Sequence, residues 1–260
     1  MLQPVLEEMG FDSADQVPFG GECAGIVTAI GPDVKDVKIG DAVIAAQAIG
    51  SLRQFITVPT DFVVSKPISM SFAEAATIPT TFLTAYYGLI YCANLKKGDR
   101  ILIHSAAGGV GQAAVQIAKH IGAEVFATAS QPKWDFLNSL GISHILNSRT
   151  LDFADEIAEI TKGKGVDIIF NSLNGDFINK SIEVLTTGGR FVEIGKIGIW
   201  AKEKMQATRP DIQYFPFDLL EISQAKPSLI QELLDTLMSK FSNQTFQPLN
   251  KTVFPIHHAP

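Results

Sequence analysis

The sequence predicts an α/β protein built around a doubly wound parallel sheet, with a smaller β-rich lobe beside it in the chain. Two patterns support this interpretation. From Arg100 to Gly195, short apolar strands alternate with amphipathic helices, the order typical of a parallel sheet covered on both faces. Between Gly20 and Val58, short β-branched runs are separated by Gly, Pro and Asp turns, as in an all-β lobe.

Local sequence patterns predict each element of the β-rich lobe and of the segments before and after it. Residues 1–18 have the texture of a helix or a loop. Short apolar and β-branched runs then predict three strands, at Glu22–Ile30, Asp41–Ala46 and Arg53–Val58. Helical spacing begins near Ser71, where Glu74 completes a predicted capping box, and Pro79 divides this region into two helices.

The alternating region supplies the predicted parallel sheet. The run RILIHSA, which follows Asp99, is short and apolar, as expected for a strand buried on both faces. Further strands are predicted at Glu124–Thr128, His144–Asn147, Val166–Leu173 and Gly189–Gly195. Helices are predicted between them at Gln112–Ile121, Lys133–Leu140, Phe153–Thr161 and Phe177–Leu185. Residues 228–241 form one more predicted helix, and Gln247–Ile256 is predicted to be extended.

Composition places the chain among globular proteins. Its 260 residues are 46% hydrophobic and 18% charged, which suffices to bury a core. The formal net charge of −6 argues against a nucleic-acid or anionic membrane partner. The sequence has no run of about 20 apolar residues that would predict a membrane span. Two distant cysteines, Cys23 and Cys92, suit a reducing, cytoplasmic location.

A glycine-rich turn, AAGGVG, joins a predicted strand to a predicted helix. In this context the pattern Ala106-x-Gly108-x-x-Gly111 is typical of a dinucleotide site. Gly108 lets the backbone approach a pyrophosphate, and Gly111 lets the helix pack close to the strand. The N-terminus of the helix, with Gly109 and Val110, would then offer free N–H groups to the phosphates. The alternative is a glycine-rich turn that binds nothing.

The second strand of the predicted sheet ends without the carboxylate that usually binds the ribose 2′-hydroxyl of NAD. Ser130 follows that strand, Lys133 lies just beyond it, and Arg149 follows the next strand. A hydroxyl group and two cations would attract a 2′-phosphate, which a carboxylate would repel. The sequence therefore favours NADPH. The alternative is that Lys133 and Arg149 are ordinary solvated charges.

Seven separated motifs are distributed along the chain from Pro18 to Ile222: PFGGECAGIVTAIG, AATIPTTFLTAYYGL, HSAAGGVGQAAVQIAKHIGAEVFATAS, NSRTLDF, GVDIIFNSLNGDFINKSIEVL, GGRFVEIGK and FDLLEI. Together they resemble the enoyl reductase domain of modular type I polyketide synthases. That domain belongs to the medium-chain dehydrogenase/reductase superfamily, and animal fatty acid synthase carries a related one.

The resemblance implies a Rossmann sheet inserted in a GroES-like β domain. It places a GroES-like substrate domain at residues 1–74, an NADPH-binding domain at 75–222 and a return to the first domain at 223–260. The family's domain normally starts earlier and continues further than this chain. We therefore expect the GroES-like part to be incomplete and the chain to be either a fragment of a larger multienzyme or an incomplete gene product.

The resemblance also predicts that the chain holds no metal. Zinc-using relatives carry a Gly-His-Glu ligand motif in the first lobe, and this chain reads Gly20-Gly21-Glu22 there. Gly21 thus stands in place of the ligand histidine. The five histidines and two cysteines have no spacing typical of a metal site.

Lys196 and Asp218 resemble the family's leading acid and base candidates, with the carboxylate orienting the ammonium group. Their alternatives are a surface lysine at a strand end and a helix N-cap. Family contacts to the cofactor map onto Thr84, Asn171, Ser172, Leu173, Gly195 and Lys196. A core-facing helical threonine and simple loop capping are the alternatives for Thr84 and for the Asn171 loop.

The activity that the resemblance implies is NADPH-dependent reduction of the α,β-double bond of an enoyl thioester. The partners would be an acyl carrier protein that carries the thioester and neighbouring polyketide synthase domains. Three alternatives stay open: a variant that closes a cyclopropane after hydride addition, a stand-alone quinone or alkenal reductase, and a non-catalytic NADPH-binding fragment.

Overall fold

The computed structural model describes residues 18–258, which form two compact units. One unit contains the described residues up to Thr80 together with those from Ile222 onwards, and the other contains Thr81–Glu221. The helix or loop expected at residues 1–18 lies outside the described residues, apart from Pro18. Within residues 18–258, none of the helices combines the length and apolar character needed to cross a membrane.

The first unit contains a three-stranded antiparallel sheet. Strand β1 (Cys23–Ile26) pairs with β2 (Ala42–Ala45), and β2 pairs with β3 (Val63–Ser65). The predicted strands at Glu22–Ile30 and Asp41–Ala46 are therefore present in shortened form.

Helix α1 (Phe72–Ala75) begins with the predicted capping box. The Ser71 hydroxyl accepts the N–H of Glu74 at 3.2 Å, and the Glu74 carboxylate accepts the N–H of Ser71 at 2.9 Å. Helix α2 (Pro79–Tyr86) begins at Pro79, so the predicted division into two helices is confirmed. A π-helical turn, Tyr87–Cys92, continues α2.

The second unit contains a six-stranded, wholly parallel sheet. The strands are β4 (Arg100–Ile103), β5 (Glu124–Ala129), β6 (His144–Asn147), β7 (Val166–Asn171), β8 (Leu185–Glu193) and β9 (Gln213–Pro216). Their order across the sheet is β6-β5-β4-β7-β8-β9. The chain therefore winds outwards from β4 in both directions, and the predicted doubly wound sheet is confirmed. Ligands bind such sheets at the carboxyl ends of the strands, near the point where the order reverses.

Helices connect successive strands of this sheet. They are α3 (Gly109–Ile121), α4 (Trp134–Ser139), α5 (Phe153–Ile160), α6 (Asp176–Glu183) and α7 (Lys202–Thr208). Helix α8 (Leu219–Ala225) follows the last strand, and α9 (Pro227–Ser242) belongs to the first unit. The central strand β4 is buried on both faces, since Ile101, Leu102 and Ile103 are all 0% exposed. This burial explains why that strand has an uninterrupted apolar sequence.

The strand predicted at Arg53–Val58 is wrong. Most of these residues are exposed, and they follow an irregular path. Of the described strands, β1 and β3 lie at the edges of this sheet, and the run pairs with neither of them. A β-branched run forms a strand only where a neighbour satisfies its backbone groups.

Three further features differ from the sequence predictions. Helix α7 and strand β9 were not predicted, although β9 completes the sheet at its edge. Helix α3 starts at Gly109, three residues before the predicted start at Gln112. The stretch Gln247–Ile256 contains no strand and leads into a 3-10 turn at Ile256–His258.

Candidate active site

The glycine-rich turn lies between β4 and α3. Ser105 adopts a left-handed φ of 52°, and the N–H of Ala106 donates to the carbonyl oxygen of Thr128 on β5 at 2.9 Å. A Cβ atom at Gly111 would lie 2.7 Å from the Cα atom of Ala106 and closer still to the carbonyl oxygen of Ser105. Because real Cβ atoms do not approach backbone so closely, only glycine lets α3 begin against this turn.

The N-terminus of α3 offers backbone N–H groups without acceptors in the helix. Its first intrahelical hydrogen bond runs from the N–H of Gln112 to the carbonyl oxygen of Gly108 at 2.8 Å. The N–H groups of Gly109, Val110 and Gly111 precede that bond, and Gly108 provides no side-chain cap. These residues therefore fit a dinucleotide pyrophosphate, which accepts such N–H groups and is favoured by the helix dipole.

The two strands after the turn bring Ser130 and Arg149 together. β5 and β6 are adjacent and parallel, and the N–H of Ser148 donates to the carbonyl oxygen of Ala129 at 3.1 Å. Lys133 ends a 3-10 turn whose N-cap is Ser130, and its N–H donates to the Ser130 carbonyl oxygen at 2.9 Å. The side chains of Lys133 and Arg149 are exposed. The three residues predicted to surround a 2′-phosphate thus share one corner of the sheet.

Lys196 and Asp218 form an ion pair at the same carboxyl edge. The distance from Lys196 Nζ to Asp218 Oδ2 is 2.8 Å, and the two side chains are 63% and 29% exposed. The other oxygen of Asp218, Oδ1, accepts the N–H of Leu220 at 2.8 Å, near the start of α8. Asp218 is therefore both a helix cap and the partner of Lys196, so the two interpretations of this residue are compatible.

Glu193 is a fully buried carboxylate at the end of β8. Its Oε2 accepts a hydrogen bond from Asn171 Nδ2, and its Oε1 accepts one from the N–H of Gly195, both at 2.7 Å. Burial raises the pKa of Glu193 from 4.5 to about 7, although these two hydrogen bonds act to lower it.

The side chain of Asn171 also shapes the loop that follows β7. Its Nδ2 donates to the carbonyl oxygen of Leu173 at 2.7 Å, and its Oδ1 accepts the N–H of Leu173 at 3.2 Å. Ser172, between them, is half-buried. The structure therefore brings together Asn171, Leu173, Gly195 and Lys196 at the ends of β7 and β8, with Glu193 linking them. It also shows the loop capping that was the alternative for Asn171.

Two further buried polar residues lie on α2 and in the turn directly after β4. Thr84 is only 9% exposed. His104 is wedged between the hydroxyl groups of Thr128 and Ser181, at 3.1 and 2.8 Å from its ring nitrogens. Burial lowers the pKa of His104 to about 3, so the ring stays neutral. Its two hydrogen bonds link the end of β4 to β5 and α6.

In the first unit, Glu22 serves as a backbone acceptor. Its Oε2 accepts the N–H of Thr80 at 2.7 Å, and burial raises its pKa despite that bond. Within residues 18–258, no three His, Cys, Asp or Glu side chains are grouped so that they could hold a metal ion. That the chain holds no metal remains a prediction.

Sequence reasoning missed Glu193, and the signal that could have revealed it was present. The run FVEIG is apolar except for this one acid, and its neighbours Val192 and Phe191 are 0% exposed. A lone carboxylate within such a strand needs buried hydrogen-bond donors. It therefore predicts a polar network at the strand end.

Two family models match the chain. The alcohol dehydrogenase GroES-like domain matches residues 7–68, and the zinc-binding dehydrogenase family matches residues 109–226.

Among characterised proteins, the chain is similar to parts of large polyketide synthases. It is 40% identical over 261 residues to the type I phenolphthiocerol synthesis polyketide synthase Pks1 of Mycobacterium tuberculosis, whose name describes it as inactive. It is 41% identical over 249 residues to the spectinabilin polyketide synthase system protein NorB of Streptomyces orinoci. These matches cover 100% and 95% of this chain but only 16% and 11% of the two relatives.

Three solved structures are similar to nearly the whole of this chain. CurK enoyl reductase is 54% identical with a TM-score of 0.91, and the match covers 98% of this chain and 77% of that one. JamJ enoyl reductase is 43% identical with a TM-score of 0.95, covering 99% and 78%. The CurF cyclopropanase of curacin A biosynthesis is 45% identical with a TM-score of 0.91, covering 96% and 75%. The chain therefore belongs to the medium-chain dehydrogenase/reductase superfamily and, within it, to the enoyl reductase domains of polyketide synthases.

Proposed function

We propose that this chain catalyses the NADPH-dependent reduction of the α,β-double bond of an enoyl thioester bound to an acyl carrier protein. The observation that carries the proposal is the ion pair of Lys196 and Asp218, with 2.8 Å between Nζ and Oδ2. This pair lies at the carboxyl edge of a sheet whose glycine turn fits a dinucleotide. This reduction needs a bound cofactor that supplies hydride and a group that donates a proton, and both would lie at the same edge of the sheet.

The residues of the chain would complete the reaction that the cofactor begins. Bound NADPH would supply a hydride to the β-carbon of the enoyl thioester. Negative charge then develops on the thioester oxygen, and the α-carbon needs a proton. The ammonium group of Lys196 can stabilise that oxygen or donate the proton, and the carboxylate of Asp218 orients it. These roles of Lys196 and Asp218 are part of the proposal.

Selectivity for NADPH over NADH is proposed to come from Ser130, Lys133 and Arg149. The strand before Ser130 ends at Ala129 without a carboxylate, and Ser148 is hydrogen-bonded to Ala129. A 2′-phosphate in this corner would gain charge-assisted hydrogen bonds that a 2′-hydroxyl could not make. Further cofactor contacts are proposed for Thr84, Asn171, Ser172, Leu173 and Gly195.

The domain assignment and the partners also belong to this proposal. We assign residues 75–222 to the NADPH-binding domain, and residues 1–74 with 223–260 to the GroES-like substrate domain. The relatives are multidomain synthases of which this chain spans a small part. An acyl carrier protein and neighbouring synthase domains are therefore the proposed partners, in the cytoplasm.

A second function has one observation in its favour, the 45% identity to the CurF cyclopropanase. Reductive ring closure shares the hydride step with simple reduction. It differs because the α-carbon of the enolate bonds to the γ-carbon and displaces a leaving group there, in place of taking up a proton. The residues described above serve both reactions, so only the choice of substrate separates them.

The test is NADPH oxidation, followed by absorbance, with a crotonyl thioester of pantetheine and with its γ-chloro analogue. Wild-type protein is compared with Lys196→Ala, Lys133→Ala and the control Lys180→Ala, which removes a solvated lysine on α6 that pairs with Glu183. We expect Lys196→Ala to lower kcat about a hundredfold, as losing a general acid does. Lys133→Ala should raise the KM for NADPH about tenfold, since a charged hydrogen bond contributes roughly 1.5–3 kcal/mol.

Each result separates the candidate functions. Turnover of the crotonyl thioester with full saturation of the double bond supports enoyl reduction, and a cyclic product from the γ-chloro thioester supports ring closure. Turnover of a free quinone without either thioester would favour the stand-alone reductase. NADPH binding with none of these reactions would support a non-catalytic fragment and overturn the proposal.

A further inference from the structure

A buried carboxylate links three chain segments at the carboxyl edge of the parallel sheet. Glu193 is 0% exposed, and its two oxygens bind groups on different segments. Oε2 accepts Asn171 Nδ2–H from the end of β7, while Oε1 accepts the N–H of Gly195 from the turn after β8. The backbone carbonyl of Glu193 accepts the N–H of Phe217, the residue before Asp218, at 3.2 Å.

The turn after Glu193 leads directly to Lys196. Two hydrogen bonds fix the backbone of this turn. The N–H of Ile194 donates to the carbonyl oxygen of Asn171 at 2.9 Å, and the N–H of Gly195 donates to Glu193 Oε1. A Cβ atom at Gly195 would lie only 2.8 Å from Glu193 Oε1. The side chain of Glu193 therefore sits directly against the residue that precedes Lys196.

We propose that Glu193 is a positioning residue for the reduction, because it fixes the backbone turn that presents Lys196 beside Asp218. The inference deepens the proposed function and rests on it. Glu193 itself need not touch the substrate or the cofactor. It acts through Lys196, whose own side chain is too exposed to be held in place by packing.

Glu193→Gln is the variant that tests this role without changing the size of the side chain. At pH 8, above its pKa of about 7, Glu193 is mainly ionised and can accept hydrogen bonds at both oxygens, whereas an amide accepts at one and donates at the other. Both neighbours of Glu193, Asn171 Nδ2–H and the N–H of Gly195, are donors. One of the two hydrogen bonds must therefore be lost, whichever way the Gln amide turns.

Thr161→Val is the matched control. Thr161 is 5% exposed, and its hydroxyl accepts the N–H of Gly165 at 2.9 Å. Gly165 precedes β7, so this buried hydrogen bond lies at the opposite end of the same sheet. The valine variant deprives one buried N–H of its acceptor without touching the Lys196 turn. It separates a loss of stability from a loss of positioning.

Hydrogen–deuterium exchange followed by mass spectrometry measures whether the turn is held. We expect Glu193→Gln to speed exchange of the Ile194 and Gly195 amides at least about tenfold, because a lost hydrogen bond exposes them to local opening. Thr161→Val should leave these two amides unchanged, even where it lowers Tm as much. Equal exchange at these amides in both variants overturns the inference, and this readout does not depend on any catalytic activity.

Kinetics measure whether holding the turn serves the reaction. With the crotonyl thioester at saturating NADPH, Glu193→Gln should lower kcat about tenfold or more, since misplacement by about 1 Å can cost that much. In a Lys196→Ala background, the same substitution should lower kcat less than about twofold, because the group that it positions is gone. Equal effects in both backgrounds would overturn the positioning role. If wild-type protein turns over no thioester, the proposed function fails, and the exchange experiment still decides whether Glu193 holds the turn.

Discussion

The buried carboxyl of Glu193 predicts a pH-dependent stability that Glu193→Gln should remove. The pKa of Glu193 is about 7 in the folded chain and 4.5 for the unperturbed group. The folded state therefore binds this proton more readily than the unfolded state does. The stabilising contribution is complete below about pH 4.5 and is lost as the pH rises through 7.

The size of the effect follows from the two pKa values. A rise from 4.5 to about 7 corresponds to roughly 3 kcal/mol, at about 1.4 kcal/mol for each pH unit between them. No discount for solvent is needed, because Glu193 is fully buried. Tyr214 on β9 is the neighbouring titratable group that feels the charge of Glu193, and its own pKa is raised mainly by burial. Tyr214 therefore stays neutral over the relevant range.

The assay is urea unfolding of the wild type and of Glu193→Gln at pH values from 4.5 to 8. Tryptophan fluorescence reports the second unit, since Trp134 and Trp200 both belong to it. Other titrating groups are the same in the two proteins and cancel in the difference. The Gln variant should gain stability relative to wild type, by roughly 3 kcal/mol between pH 4.5 and 8. A difference that stays constant over this range would refute the reasoning.

Three further predictions concern other parts of the chain. Gly111→Ala should lower stability by about 1–3 kcal/mol and weaken NADPH binding in a fluorescence titration, because the added Cβ meets the Ser105 turn. Gly25→Ala, whose Cβ meets no atom within 4 Å, should leave both unchanged. Ser71→Ala should cost about 1 kcal/mol in thermal unfolding through loss of the helix cap. Iodoacetamide at pH 8 should modify Cys92 about a hundredfold more slowly in the folded than in the urea-unfolded chain, because burial raises the pKa of this thiol to about 11. Equal rates in the two states would show that the thiol is solvated.

The sequence predicted those elements whose signals are local. The capping box at Ser71 needs only two side chains three residues apart, and it is present. Strand His144–Asn147 was predicted with the bounds that the structure has, because a turn on each side isolates it. The strand predicted at Arg53–Val58 is absent because a strand needs a neighbour to pair with, and the run pairs with none of the described strands.

Where packing overrides local preference, the predictions were less accurate. The helix after the glycine turn was expected at Gln112–Ile121. It starts at Gly109, because Gly111 must lie against the backbone of Ala106. Within the candidate site, the sequence and the family resemblance together placed Lys196 and Asp218 near each other. They did not identify Glu193, because no motif marked it and the sequence does not show that Asn171 donates to it.

The energetics show why Lys196 needs a support other than Asp218. An ion pair with one side chain 63% exposed contributes at most about 1 kcal/mol, and salt weakens it further. Such a contact can set the direction of the ammonium group but cannot hold the backbone beneath it. A buried carboxylate with two hydrogen bonds at 2.7 Å can hold that backbone, because breaking either bond would leave a buried polar group unsatisfied. Because Glu193 is buried, its ionisation above neutral pH lowers the free energy of unfolding. A network that lowers stability in this way is consistent with a role in placing Lys196 rather than in stabilising the fold.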